Sequence, residues 1–278
     1  MSNELPKIVI AARTLDYEVH DLVETAARVG VPLVVHSFDD ASRSYGEYEQ
    51  AGVVYWRNAG VTKKFPKQVG RASVLAHLDR HVPIVNRAAL DTPQYVYKSV
   101  QQARFKKFAH FVRGVSAIET FMASDEEAVR ELVTAGALRF PFIAKPNFGM
   151  RGEGVELVKD EADIARVVTD AAAMVFQNFI PNNGDYRVFV VGGVAHDVML
   201  RTASPSSKKT FLNNVSQGGV AQRVEDGAKR ELLAKAGCAI AAMFNYTICG
   251  VDLIEDEEGN IFFLELNSVP QWQGLSTV

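Results

Sequence analysis

Cysteine is nearly absent from this 278-residue chain. Its two, Cys238 and Cys249, are too few for a disulfide framework and make no metal-ligand pattern. The six histidines are scattered without zinc spacing, and none stands where a nucleophile–base pair would need it. No stretch approaches the roughly 18 apolar residues that a membrane span requires. The opening "MSNELPKIVIAAR" lacks the basic region and the apolar length of a secretory signal. A net charge of -3 leaves no basic footprint for nucleic acid, and no basic amphipathic segment suggests a membrane surface. Three familiar loops are missing as well. The turn after the first apolar run, "ARTLDYEV", has no glycine and so no dinucleotide fingerprint, there is no Gly-Lys-Ser/Thr leading into a helix, and no Gly-x-Ser-x-Gly occurs. The expectation is a reduced, cytoplasmic protein that binds neither nucleic acid nor membrane.

What is present is an ordinary globular composition, 47% hydrophobic and 23% charged, long enough for two or three subdomains. The first ninety residues alternate strand and helix patterns: strands at Lys7 to Ala12, Pro32 to His36, Gly52 to Trp56 and Val82 to Asn86, helices at Asp16 to Val29 and Val69 to Asp79. Such alternation predicts a small parallel α/β unit. From Thr92 to Val112 the pattern is helical and basic, and Ser124-Asp125-Glu126-Glu127 reads as a capping box. Strands then dominate, interrupted by helices near Asp160 to Ala172 and Asp226 to Phe244 and by a polar loop from Ala203 to Gly219. The second part is therefore α+β and rich in sheet.

Three stretches carry chemistry. In "PFIAKPNFGMRGEGVELV", glycines 149, 152 and 154 sit between two predicted strands. Glycines let backbone N–H groups approach an anion with no Cβ in the way, so the loop suits a flap over phosphates, with Lys145 at its base. An ordinary glycine-rich hairpin and a solvated lysine are the plain alternatives. In "GVDLIEDEEGNIFFLELNSVP", period-2 geometry places Glu265 and Asn267 on one face and Phe262, Leu264 and Leu266 on the other. With an even turn, Asp252 falls on the polar face, diagonal to Glu265. Two carboxylates and an amide oxygen there make a site for a hard cation such as Mg²⁺. Between these stretches, Arg187 shares a strand face with Phe189, and Arg201 one with Asp197 and Met199. A cation on an inward face needs an anion, supplied either by a ligand or by a structural ion pair.

Glycine loop, hinge, asparagine loop and carboxylate hairpin follow one another as "PFIAKPNFGMRGEGV", "FQNFI", "GDYRVFVVGG", "NNVSQGG", "GVDLI" and "LELNSVPQWQGL". In this order they resemble the ATP-grasp superfamily and, within it, the RimK-type carboxylate–amine ligases. The resemblance implies an α/β N-terminal (pre-ATP-grasp) domain over 1–91, followed by an α+β ATP-grasp fold of two subdomains, 92–178 with the flap and 179–278 with the metal site, that grip ATP. It further implies that Lys98, Lys145 and the loop from Gly149 through Arg151, Gly152 and Glu153 to Gly154 hold the ATP phosphates. Gln177, Asn178, Phe179 and Ile180 would form the adenine hinge, with Asp185 near the ribose and Arg187 near the phosphates. Asp252, Glu265 and Asn267 would hold Mg²⁺, or Mn²⁺ in its place, and Arg201 and Asn214 would face the reacting groups. The implied reaction is ADP-forming amide synthesis from a small-molecule or peptide carboxylate and an amine. An ATP-binding scaffold without turnover is the alternative, and a homo-oligomer is left open.

Overall fold

The computed structural model describes residues 7–12, 16–37, 46–57, 82–149, 152–204 and 219–272. The helix expected at 69–79, together with Arg151 and Asn214, lies outside the described residues.

Near-continuous apolar runs give the N-terminal strands β1 (Ile8–Ala12), β2 (Leu33–Ser37), β3 (Val53–Arg57) and β4 (Ile84–Val85). They pair in parallel, in the order β2-β1-β3-β4, and the burial of β1 on both faces is what such runs demand. The first helix, Tyr17–Val29, starts where the Asp16 carboxylate accepts a hydrogen bond from the Val19 N–H at 3.0 Å. It stops at Gly30, whose φ of 71° only glycine adopts freely. The strand expected to reach Asn86 ends one residue earlier. Asn86 is in the left-handed region at φ 62°, and its fully buried amide is committed elsewhere, donating to the carbonyls of Ile248 and Ser268 and accepting from the N–H groups of Thr247 and Ile248.

Residues 115–178 supply β5 (Val115–Ala117), β6 (Thr120–Phe121), β7 (Phe142–Pro146), β8 (Glu156–Val158) and β9 (Met174–Asn178). Four of them make an antiparallel sheet, β6-β9-β7-β8, with its own core around Val129, Phe142, Ile164 and Phe176. The helix Glu126–Thr134 is capped by Asp125, not by Ser124 as the capping-box pattern suggests. The Asp125 carboxylate accepts from the Ala128 N–H at 2.9 Å, and the Ser124 hydroxyl only donates to that carboxylate.

The largest sheet is six-stranded: β12 (Val220–Arg223), β11 (Val194–Thr202), β10 (Asp185–Val191), β13 (Ile248–Glu255), β14 (Ile261–Asn267) and, parallel at the edge, β5. Residues 92–178 thus serve two sheets, because β5 and the helix Lys98–Phe108 pack on the six-stranded one. The helix Gly227–Phe244 covers the apolar face, capped by Asp226, which accepts from the N–H groups of Ala228 and Lys229. At Gly237 the helix lies so close to β10 that a Cβ would sit 2.5 Å from Val188 Cγ1. Gly237→Ala is expected to lower unfolding free energy by about 1–3 kcal/mol through overpacking, read from denaturant melts.

One register shift matters for the site. Asp252 pairs with Glu265 but Leu253 pairs with Phe263, so Leu264 is an extra residue, a β-bulge. The core face of β14 is therefore Ile261, Phe263 and Leu266, not Phe262, Leu264 and Leu266. The bulge also brings Asp252 directly opposite Glu265 rather than diagonal to it.

Candidate active site

Alternation along β10 turns Asp185, Arg187 and Phe189 away from the helix-covered core, and Tyr186, Val188 and Val190 into it. Arg187 pairs in register with Asp252 on one side and Met199 on the other, and Asp185 pairs with Arg201. The charged groups of four strands thereby meet on one sheet face. The Arg187 guanidinium grips Asp252 with two bonds, Nε to Oδ1 at 2.8 Å and Nη2 to Oδ2 at 2.7 Å. Arg201 Nη2 stands 3.1 Å from Asp252 Oδ2, and its Nε donates to Asp185 Oδ1 at 2.6 Å. Gly250 makes room for this clamp, since a Cβ there would lie 3.2 Å from Arg187 Nε. Burial on its own would raise the Asp252 pKa. The Arg187 and Arg201 charges outweigh burial and hold its carboxyl below the usual carboxylate range.

Asn267 and Glu265 complete the group. The Asn267 amide nitrogen lies 3.1 Å from Asp252 Oδ2 and 3.3 Å from Glu265 Oε1. A half-turn of that amide presents its oxygen instead. Among the described residues no group of three or more His, Cys, Asp or Glu side chains could hold a metal ion. Two carboxylates and one amide oxygen fit Mg²⁺, which takes few protein ligands and fills its octahedron with phosphate oxygens and water.

Opposite β14 stand the two lysines. Lys98, at the start of its helix, reaches to 3.8 Å from Glu265 Oε2 and donates to the Gly149 carbonyl at 3.1 Å. Asn147, a residue the sequence pattern did not single out, docks the base of the glycine loop on that helix. Its backbone carbonyl accepts from the Lys98 N–H and its side-chain oxygen from the Ser99 N–H, both at 2.9 Å. Lys145 is buried on β7, and burial, reinforced by the Lys98 charge and partly opposed by Glu265, pulls its pKa down to about 8. Among the described residues four cations thus face three carboxylates (Asp185, Asp252 and Glu265), an excess of one positive charge. Such a site welcomes an anion.

The low Lys145 pKa has a signed consequence. In the unfolded chain the lysine titrates near 10.5. Between about 8 and 10.5 the folded protein has lost a proton that the unfolded one keeps, so this residue makes stability rise with pH there. Anion binding responds in the opposite sense. Affinity for metal-free ATP is expected to weaken as pH rises above about 8, and Lys145→Met should abolish that weakening. Isothermal titration across pH 7 to 9.5 checks both.

In the glycine loop, which joins β7 to β8, Gly152 and Gly154 have φ of 71° and 70°, and a Cβ on Gly154 would lie 2.8 Å from Pro146 Cγ. Glu153 between them is exposed. The side chains of Gln177 and Asn178, expected at a hinge, are both engaged inside the protein. Gln177 donates to Thr120 Oγ1 at 2.7 Å, and Asn178 accepts from the Arg139 N–H and donates to the Ala137 carbonyl. Backbone groups here are partly engaged as well, the Phe179 N–H donating to the Pro141 carbonyl at 3.3 Å and the Ile180 carbonyl accepting from Asn182 Nδ2 at 2.8 Å, with Phe179 and Ile180 half-buried. Past Asn267 the chain crosses the N-terminal sheet. Arg57 donates to the Pro270 carbonyl and to Asp16 and Glu18, Glu18 accepts from the Trp272 N–H, and Asn86 holds Ser268.

A family model described as the RimK-like ATP-grasp domain matches residues 103–278, more than half of the chain and all of the site except Lys98. The chain belongs to the RimK-like ATP-grasp family. The tetrahydromethanopterin:alpha-L-glutamate ligase of Methanococcus maripaludis is 28% identical over 75% of this chain and 68% of its own length. Beta-citrylglutamate synthase B of Homo sapiens is 27% identical over 68% of this chain, which spans about half of that protein. The solved ATP-grasp ligase PsnB, complexed with a minimal precursor, superposes with a TM-score of 0.70 over 97% of this chain and 93% of its own, at 18% identity. The fold is ATP-grasp, its two C-terminal sheets lying on either side of the charged cluster. Among the described residues no helix is long and apolar enough to cross a membrane. Family membership, with ligases as relatives, favours a ligase over a scaffold without turnover.

Proposed function

We propose that this RimK-like ligase uses ATP to join a carboxylate to an amine through an acyl phosphate. The observation that carries the reading is the single sheet face on which Asp252, Glu265 and Asn267 meet Arg187 and Arg201, with Lys98 and Lys145 opposite. The substrate carboxylate oxygen attacks the γ-phosphorus of ATP, and the bond to the β-phosphate oxygen breaks to release ADP. The amine nitrogen then attacks the acyl carbon, phosphate leaves, and the nitrogen sheds a proton to solvent. Lys98, Lys145 and Arg187 hold the phosphates in line, and Arg201 answers the negative charge of the tetrahedral stage. Held by Asp252, Glu265 and Asn267, Mg²⁺ would neutralise the β- and γ-phosphate oxygens. The glycine loop from 149 to 154 excludes water, which would hydrolyse the acyl phosphate.

Arg57, at the end of β3, is already neutralised by Asp16 and Glu18. A free anionic amino acid therefore finds no spare charge at that residue, and a peptide end is as good a candidate as glutamate. The test is an ADP-release screen of carboxylates crossed with amines, including glutamate and short peptides, with the nucleotide product resolved by chromatography. ADP and orthophosphate in step with amide formation are expected. AMP and pyrophosphate would overturn the mechanism.

A further inference from the structure

β14 outruns its edge partner. β5 covers only Ile261 to Phe263, so among the described residues the stretch carrying Glu265 and Asn267 has no neighbouring strand on that side. Two consecutive glutamines on the helix Lys98–Phe108 take the strand's place, both almost wholly buried. Gln102 donates to the carbonyls of Phe263 and Leu264, around the bulge, and accepts from the Ile118 N–H. Gln101 pairs with Leu266 as a peptide unit would, donating to its carbonyl at 2.9 Å and accepting from its N–H at 2.8 Å. Its second amide hydrogen goes to the Tyr95 carbonyl at 2.7 Å. A backbone N–H can only donate, so the orientation of this amide is dictated by its partners.

Leu266 is the residue between Glu265 and Asn267, and Gln101 lies one helical turn beyond Lys98. We infer that Gln101 is a positioning residue: by closing the free edge of β14 at Leu266, it fixes the Glu265–Asn267 pair against the helix that carries Lys98. The ligand pair and the lysine then move as one body, with the bulge held by Gln102 behind them. This rests on the metal reading proposed above. Residues that orient metal ligands without touching the metal typically govern 10–100-fold of metal affinity.

The probe is Mn²⁺, its free form followed by electron paramagnetic resonance, titrated into the full chain saturated with a non-hydrolysable ATP analogue. Gln101→Met removes all three bonds at similar volume. Gln101→Glu keeps the acceptor for Leu266 N–H and loses both donors. Its added negative charge would on its own attract the ion, so weaker binding in that variant cannot be a charge effect. Either folded variant is expected to bind Mn²⁺ at least about tenfold more weakly, while analogue affinity in EDTA barely changes. Should the methionine variant fail to fold, the glutamate variant decides. An unchanged Mn²⁺ constant in a folded variant, even one with a lower melting temperature, overturns the inference and leaves Gln101 structural. A wild-type protein that binds no Mn²⁺ beside the analogue overturns the metal reading itself, and this inference with it.

Discussion

Glu265→Ala is expected to lose at least about a hundredfold in turnover, the scale of removing one electrostatic stabiliser from a reaction centre, while its melting temperature shifts by no more than about 2 °C. The two halves of that statement have separate causes. Chemically, Glu265 is one of the two carboxylates proposed to hold the metal, and Mg²⁺ tolerates a missing ligand poorly because its octahedron is rigid. Structurally, its side chain is 28% exposed, and its polar partners among the described residues are the Asn267 amide at 3.3 Å and Lys98 at 3.8 Å. Little packing is lost, and the buried Lys98 keeps its hydrogen bond to the Gly149 carbonyl when the carboxylate goes. Steady-state kinetics beside a thermal melt measure both halves. Wild-type activity in this variant would remove the β13–β14 hairpin from the active site.

Asp252→Ala is expected to fail twice. It removes the second carboxylate, with the same order of loss in turnover. It also takes the central anion from between Arg187 and Arg201, all three of them well shielded from water. Breaking a buried pair from one side costs about 3–5 kcal/mol, because the remaining charge has no partner. For a chain of this size the melting temperature should fall by roughly 10 °C. Asp252→Ala together with Arg187→Ala should recover part of that fall without recovering turnover. An Asp252→Ala protein that melts like the parent would show the arginine clamp to be slack.

The two carboxylates also show how far the sequence could be read. Their strands, their common face and the flanking arginines followed from alternation in "GVDLI", "FLELN" and "DYRVF", because a side-chain period of two is a local property. The bulge at Leu264 is not local. It shows only in how β14 registers against β13, and it exchanged Phe263 for Phe262 and Leu264 on the core face. Ser124 and Asp125 are both good caps, and pattern alone could not rank two adjacent candidates. The side-chain amides of Asn86, Gln101 and Asn147 were illegible for a deeper reason. Each replaces a strand or caps an element far along the chain, up to 182 residues away for Asn86, and an amide carries no periodic signature. The resemblance assigns Gln177 and Asn178 to the hinge, but only the structure reveals that their side chains are tied to Thr120 and to the turn at Ala137 and Arg139.

The Asn86 clasp bears on how the chain is made. Its partners at 247–248 and 268 are translated long after it, and at about 5–20 residues per second the last of them follows by roughly 9 to 36 s. Through that interval the apolar faces of β1 and β3, which share one core with Val188, Val251 and Phe263, wait without their cover. The N-terminal sheet thus leaves the ribosome ahead of the strands that complete it, and its core face must persist uncovered until they follow.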